Sequence, residues 1–227
     1  MGAKSSTWMS QVLAVFLKDF KSELRTRYSL NTLFMFAVIT LTAVSLTVGM
    51  FSLSLKVKAS LFWIVVFFSA MSGLAQVFVK EEESRTSGLL KLVASAETIF
   101  TGKLIYNLLL LLFLEVILVP LFIVLLGFSI INFRLFLCVL MLGSLGLVCA
   151  TTIIAAIVAK ASVKGALFAV LSFPILLPLL IVLIDGTYLA SEGASFSRGL
   201  ADLQVLFSYA VVMLIASFLL FEFVWEE

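Results

Sequence analysis

The chain has 227 residues, 63% of them hydrophobic and 12% charged, with a net charge of +2. Soluble domains are roughly half apolar and about a quarter charged, so this composition excludes a cytosolic enzyme, a disulfide-stapled secreted domain and a disordered tail. The small net charge leaves no electrostatic footprint for nucleic acid, and the absence of histidine removes His–metal sites, Ser-His-Asp triads and histidine proton relays.

The first element, over residues 8–28, reads as an amphipathic helix. Leu13, Phe16, Leu17, Phe20 and Leu24 form one stripe, with Lys18, Lys21 and Arg25 on the other side. That is the pattern of a helix lying in the membrane interface, lysines toward the headgroups; the plainer reading is a helix packed on a partner. No short apolar core with a cleavage site precedes it, so no signal peptide is expected. Six apolar runs follow, at 32–55, 60–79, 103–128, 135–159, 165–183 and 203–225. Each approaches the 20 or so residues that a ~30 Å hydrocarbon layer requires. They are continuous rather than alternating, which favours helices over barrel strands. The expectation is an all-α integral membrane protein, a single transmembrane domain over 1–227, with the interfacial helix in front.

Between the second and third spans lies the most informative polar stretch, 80–102. Lys80-Glu81-Glu82-Glu83-Ser84-Arg85 leads to Gly88, then Leu89, Leu90, Leu92 and Val93, then Ala96, and Gly102-Lys103 opens the third span. The plain reading is a solvated loop, but those leucines need a membrane surface or a protein to cover them. Gly102-Lys103 is not a phosphate loop: a Walker A motif needs Gly and Ser/Thr where Glu97 and Leu104 stand. Lys103 is expected to snorkel to the headgroups.

Glu115 is the single carboxylate deep in a span, about 18 Å along the helix from Lys103 and so near the midplane. It reads either as a translocation-path or proton-coupled group, or as a protonated or hydrogen-bonded contact between helices. Pro120 reads as a packing kink. Cys138 and Cys149 share a helix face roughly 16 Å apart, too far for a disulfide, and read as buried small hydrophobes. Gly143, Gly146 and Ala150 form a small-residue face for close packing, within the chain or across a dimer. Pro174 and Pro178 remove backbone donors in the fifth span and read as a gate hinge or a static kink. The segment from Asp185 to Asp202, rich in Gly and Ser, is expected to be irregular.

Lys4, Lys18, Lys21, Arg25, Arg27, Lys80, Arg85, Lys91, Lys103, Lys160 and Lys164 fall on the side of the N-terminus, against Lys56, Lys58, Arg134 and Arg198 on the other. Eleven against four places both termini in the cytoplasm, and acidic Glu226 and Glu227 weigh little in that rule.

An acidic–Arg cluster after the second span, then Gly88-x-Leu90, then Gly-Lys opening the third resembles ABC-2 type exporter permeases. Three further segments are similar to the haem exporter protein B family, the permease subunit of the cytochrome c maturation ABC transporter. They are Arg27-Tyr28-Ser29-Leu30-Asn31, Lys103-Leu104-Ile105-Tyr106-Asn107 and the run from Leu171 through Pro174 and Pro178 to Leu180. The resemblance spans essentially the whole chain, although relatives often carry Pro near Ala96. It implies an ATPase subunit that supplies ATP hydrolysis, a permease homodimer, companion haem-handling membrane subunits, a periplasmic haem chaperone and a bacterial inner membrane. It also implies that Glu82, Glu83, Arg85, Gly88, Leu89, Leu90 and Ala96 meet the ATPase. No cofactor is expected on this chain. Haem would be cargo, its tight ligation left to a companion subunit, since only Met, Cys or Tyr are present to ligate iron. An ABC-2 exporter for lipid, glycan or drug, or a non-transporting assembly scaffold, are the alternatives; one buried acid makes a poor intramembrane enzyme.

Overall fold

The computed structural model describes the backbone of residues 2–48, 53–159, 161 and 164–226. Lys160, Glu227 and the stretch 49–52 within the first expected span lie outside the described residues, as do the side chains of Lys4, Lys164 and Glu226. Among the described residues the chain forms nine α-helices and no strand. They are α1 (Gly2–Thr26), α2 (Tyr28–Val48), α3 (Leu55–Gly73), α4 (Gln76–Glu83), α5 (Ser87–Val93), α6 (Ala96–Leu126), α7 (Phe133–Val158), α8 (Lys164–Glu192) and α9 (Leu200–Glu226).

Six stretches are long and apolar enough to cross a membrane: α2, the α3–α4 run, α6, α7, α8 and α9. The chain is an all-α integral membrane protein. In α7, 72% of the most apolar window is buried against other helices, compared with 17% in α2, which makes α7 the centre of the bundle and α2 its rim. The α7 helix packs on α6, α8 and α9, while α2 leans on α3 and α6.

Small residues set the close approaches. A Cβ on Gly143 would sit 2.3 Å from Leu183 of α8 and 2.9 Å from Trp63 of α3; one on Gly146 would sit 3.1 Å from Tyr209 of α9. The small-residue face of α7 is thus filled within the chain. Cys149 is buried, Cys138 half-buried, and neither is in a disulfide. At the end away from α5, aromatic rings close the core: Phe62 meets Phe122 at 5.4 Å and Phe122 meets Phe128 at 5.4 Å, edge to face.

Helix ends carry recognisable caps. The Ser95 hydroxyl accepts from the Thr98 N–H at the start of α6, with Glu97 in the first turn to meet the helix dipole. Gly127, left-handed at φ 58°, ends the same helix, and the ammonium of Lys58 donates to its carbonyl at 3.0 Å.

One expectation about the spans is corrected. The fifth span does not stop near 183: α8 runs on to Glu192, so the supposed irregular segment from Asp185 is helical over its first half. The reason is burial: Thr187, Ala190 and Ser191 face the bundle, Trp63 Nε1 donates to Thr187 Oγ1 at 2.7 Å, and the turn comes only at Gly193, φ 82°. Pro174 and Pro178 lie inside the continuous α8, as Pro120 lies inside α6. The carbonyl of Ile175, in the turn that Pro178 disrupts, is taken by the hydroxyl of Tyr209 at 2.9 Å.

Candidate functional site

Between the second and third spanning stretches the chain makes a compact knuckle. The α4 helix ends at Glu83, and Arg85 takes the left-handed conformation at φ 55°. The N–H of Thr86 then reaches back to the carbonyl of Glu81 at 3.0 Å, the six-to-one bond of a Schellman turn. Two turns of α5 follow, and α6 begins at Ala96. None of the residues of α5 is buried. Leu89, Leu92 and Val93 are 64%, 84% and 76% exposed and stand one helical turn apart on one face. Leu90 turns the other way, half-buried against the core.

Under α5 lies a groove of about 530 Å³ walled by α1, α4 and α5. Its floor is ionic. The Lys103 side chain is completely buried; its ammonium donates to the Val77 carbonyl at 2.9 Å and meets Asp19 and Glu81 at 3.2 Å each. Lys18 pairs with the same Glu81 and with Asp19, and the Thr86 hydroxyl closes the second Glu81 oxygen at 2.5 Å. Two ammonium groups thus face two carboxylates, so charge is balanced around the buried Lys103, while Lys18 closes the cluster from the exposed side. Burial pulls the Lys18 ammonium down, but Asp19 and Glu81 outweigh it and hold the group above the usual lysine range.

A second cluster adjoins the first. Glu23 of α1 is buried and accepts from Lys80 at 2.9 Å, from the Leu30 N–H at 2.9 Å and from the Tyr106 hydroxyl at 3.2 Å. Burial pushes its carboxyl up, but the Lys80 ammonium and the Leu30 amide more than offset this and hold it below the usual carboxylate range. Together the clusters tie α1 to both roots of the knuckle, α4 and α6. Gly102 makes the fit possible: a Cβ there would lie 2.8 Å from Val15 and 3.2 Å from the Val12 carbonyl.

The other side of the knuckle rests on rings. Phe78 of α4, Phe100 of α6 and Phe221 of α9 stack at 5.3 and 4.9 Å through Phe221, and Trp225 adds to Phe221 at 5.4 Å. Lys91 of α5 lies over the Trp225 ring at 5.6 Å.

The seven residues expected to meet a partner do share this knuckle, yet they do different jobs. Glu82 and Glu83 finish α4 on its outer side, Arg85 makes the turn, Leu89 is presented outward, and Leu90 and Ala96 pack inward. Around Gly88 an added Cβ would meet nothing within 4 Å, so the backbone there does not need glycine. The outward apolar face is completed by Leu92 and Val93 instead of Leu90. Lys103 does not snorkel: α1 covers it, and the two acids that α1 and α4 bring replace the water it would otherwise seek. Asp19, Glu23 and Glu81 were passed over in the sequence because each sits in a charge run that reads as solvated. A hint lay in Gly102-Lys103 facing Asp19 and Glu23, which are spaced one helical turn apart.

Deeper in the membrane, Glu115 is buried against Ser144 of α7, and Asn107 donates to Thr152 at 2.9 Å on the same inward side of α6. Among the described residues no group of three or more Cys, Asp or Glu is placed to hold a metal ion.

No curated protein matches the chain. The CcmB protein family matches residues 10–224, nearly all of it. With six spanning helices, an amphipathic leader and a polar knuckle in one continuous match, the chain belongs to the CcmB family, the haem exporter protein B family of membrane permease components in the cytochrome c maturation ABC system.

Proposed function

We propose that this chain is the subunit through which closure of a partner ATPase is converted into movement of membrane helices, serving haem export or release of the haem-loaded chaperone. ATP is hydrolysed by the partner. The permease works as a homodimer beside haem-handling subunits and a periplasmic chaperone, in the bacterial inner membrane with both termini in the cytoplasm. The excess of Lys and Arg at the knuckle end supports that orientation. Haem passes as cargo and is not held by this chain as a cofactor. Glu82, Glu83, Arg85, Gly88 and Ala96 frame the contact, while Pro174 and Pro178 shape α8 near the exit.

One observation carries the reading: the outward face of α5, Leu89, Leu92 and Val93, is apolar, exposed and mounted on helices that cross the membrane. Covering such side chains fully contributes about 1.5–3 kcal/mol each, so a partner surface has much to gain there. Because α5 is joined to α4 and α6 by short turns, and the ion clusters tie α4 and α6 to α1, a push on α5 moves the two spans together as a rigid body.

The test is co-purification. Replacing Leu89, Leu92 and Val93 together by Ser is expected to abolish recovery of the ATPase with the tagged, detergent-solubilised chain and to stop c-type cytochrome maturation, with the chain's own thermal midpoint unchanged. Retained ATPase at native stoichiometry in that variant would refute the assignment.

A further inference from the structure

The carboxyl of Glu115 is enclosed by the bundle, and the Ser144 hydroxyl of α7 stands 2.8 and 2.7 Å from its two oxygens. The same hydroxyl oxygen is 2.6 Å from the Leu140 carbonyl, one turn back on α7. A serine hydroxyl has one proton to give. If Glu115 were ionised, three oxygens would compete for it, and at least one short contact would bring lone pair against lone pair. If Glu115 carries a proton, a second proton serves these contacts and one fewer is left without a donor. Its O–H donates to Ser144 Oγ, and the Ser144 O–H donates to the Leu140 carbonyl.

The charges nearby give no alternative. The single lysine of α6, Lys103, is twelve residues back, about 18 Å along the axis, and is engaged by Asp19 and Glu81. The other charged side chains on the elements packed against α6 sit toward the membrane edges. They are Lys18, Asp19, Lys21, Glu23 and Arg25 on α1, Lys56 and Lys58 at the start of α3, Arg134 at the start of α7, and Asp202 and Glu222 toward the ends of α9. Of the uncharged titratable groups, Cys138 and Cys149 are six and five residues from Ser144 on α7, Tyr106 is nine residues from Glu115 on α6, Tyr28 opens α2 and Tyr209 lies on α9, where its hydroxyl donates to the Ile175 carbonyl. An ionised carboxylate at this depth would have neither water nor a counter-ion.

We infer that Glu115 and Ser144 form a proton-binding site at the membrane midplane, occupied at neutral pH, whose proton joins α6 to α7. Its ligand is the proton itself, and the site does not depend on how the knuckle is driven, so its test and that of the ATPase contact fail separately.

Infrared spectroscopy of the whole chain in nanodiscs of neutral phospholipid at pH 7 tests it. The carbonyl band of a protonated carboxylic acid is expected in the native chain, and it is expected to vanish in Glu115→Gln, whose amide replaces the O–H donor and keeps the thermal midpoint. A native spectrum without that band, or a band that survives Glu115→Gln unchanged, would overturn the inference. Should Glu115→Gln fail to insert, Ser144→Ala gives the second reading. Losing the acceptor shifts the band to the frequency of a free acid; an unshifted band counts against the site.

Discussion

Among the described residues, two helices lie outside the stretches long and apolar enough to cross a membrane, α1 and α5; both are amphipathic, yet they are held in different ways. The inward side of α1 is sunk: Val12, Val15 and Glu23 are buried, and Asp19 and Lys18 join the ion cluster around Lys103. Its apolar stripe, Leu13, Leu17, Phe20 and Leu24, stays exposed on the outside. By contrast α5 has no fully buried residue and shows Leu89, Leu92 and Val93 outward, with Leu90 alone leaning on the core. On the proposed function, the difference separates an anchor from a contact. A helix meant to stay uses polar side chains inward, where they can be matched one to one. A helix meant to be covered by something else leaves its apolar side chains outside.

The sharpest way to break that contrast is to free the anchor. Lys103→Met leaves Asp19 and Glu81 facing only Lys18. Removing one partner of a buried pair costs about 3–5 kcal/mol. We expect a large drop in thermal midpoint and protease sensitivity in α1, with α5 still exposed. A midpoint equal to that of the native chain would show that the cluster does not hold α1. Gly102→Leu attacks the same anchor by volume. Its side chain would collide with Val15 and with the Val12 backbone. Overpacking of this kind costs about 1–3 kcal/mol, so a smaller loss of midpoint is expected, again localised to α1 by hydrogen exchange. Equal protection of α1 in the variant would contradict the close approach.

How much of this was legible beforehand divides along the same line. The six spans and the exposed leucines of α5 followed from hydropathy and from where apolar residues stood without cover. The apolar stripe of α1 was equally plain. What the sequence hid was the other side of α1. Periodicity shows which residues share a face, but it cannot show that Lys18 and Lys103 meet acids from 63 and 22 residues away. Pairing of this kind is set by tertiary contact, so Lys103 reads as a snorkelling lysine until α1 is laid over it. Leu90 was grouped with Leu89 because they are adjacent, although neighbours on a helix point about 100° apart. The helical extension of α8 past Asp185 was masked by glycine and serine, whose small side chains are what allow it to pack there.

Arg85 sharpens the contact side with a smaller effect. Its value to the knuckle, as the structure has it, lies in a left-handed backbone, which costs a non-glycine residue roughly 1–2 kcal/mol. Arg85→Gly should therefore raise the thermal midpoint slightly and leave α5 in place, while Arg85→Val should lower it by a similar amount. If both variants lose ATPase association equally, the guanidinium itself is the contact. If only the valine variant does, the turn is what matters.

The smallest effect is expected from acid. Glu23 has a lowered carboxyl pKa in the folded chain, so at low pH the unfolded chain binds the proton more readily than the folded one. Its contribution is fully present above the usual carboxylate range and is lost as pH falls through the folded value. Glu23→Gln removes that dependence while keeping a group that can accept from Leu30 and Tyr106. The midpoint difference between native chain and variant should be widest near pH 7 and narrow steadily below pH 5. A difference that stays constant down to the acid limit would mean that Glu23 serves α1 by shape alone, and that the anchor's electrostatics reside entirely in the cluster around Lys103.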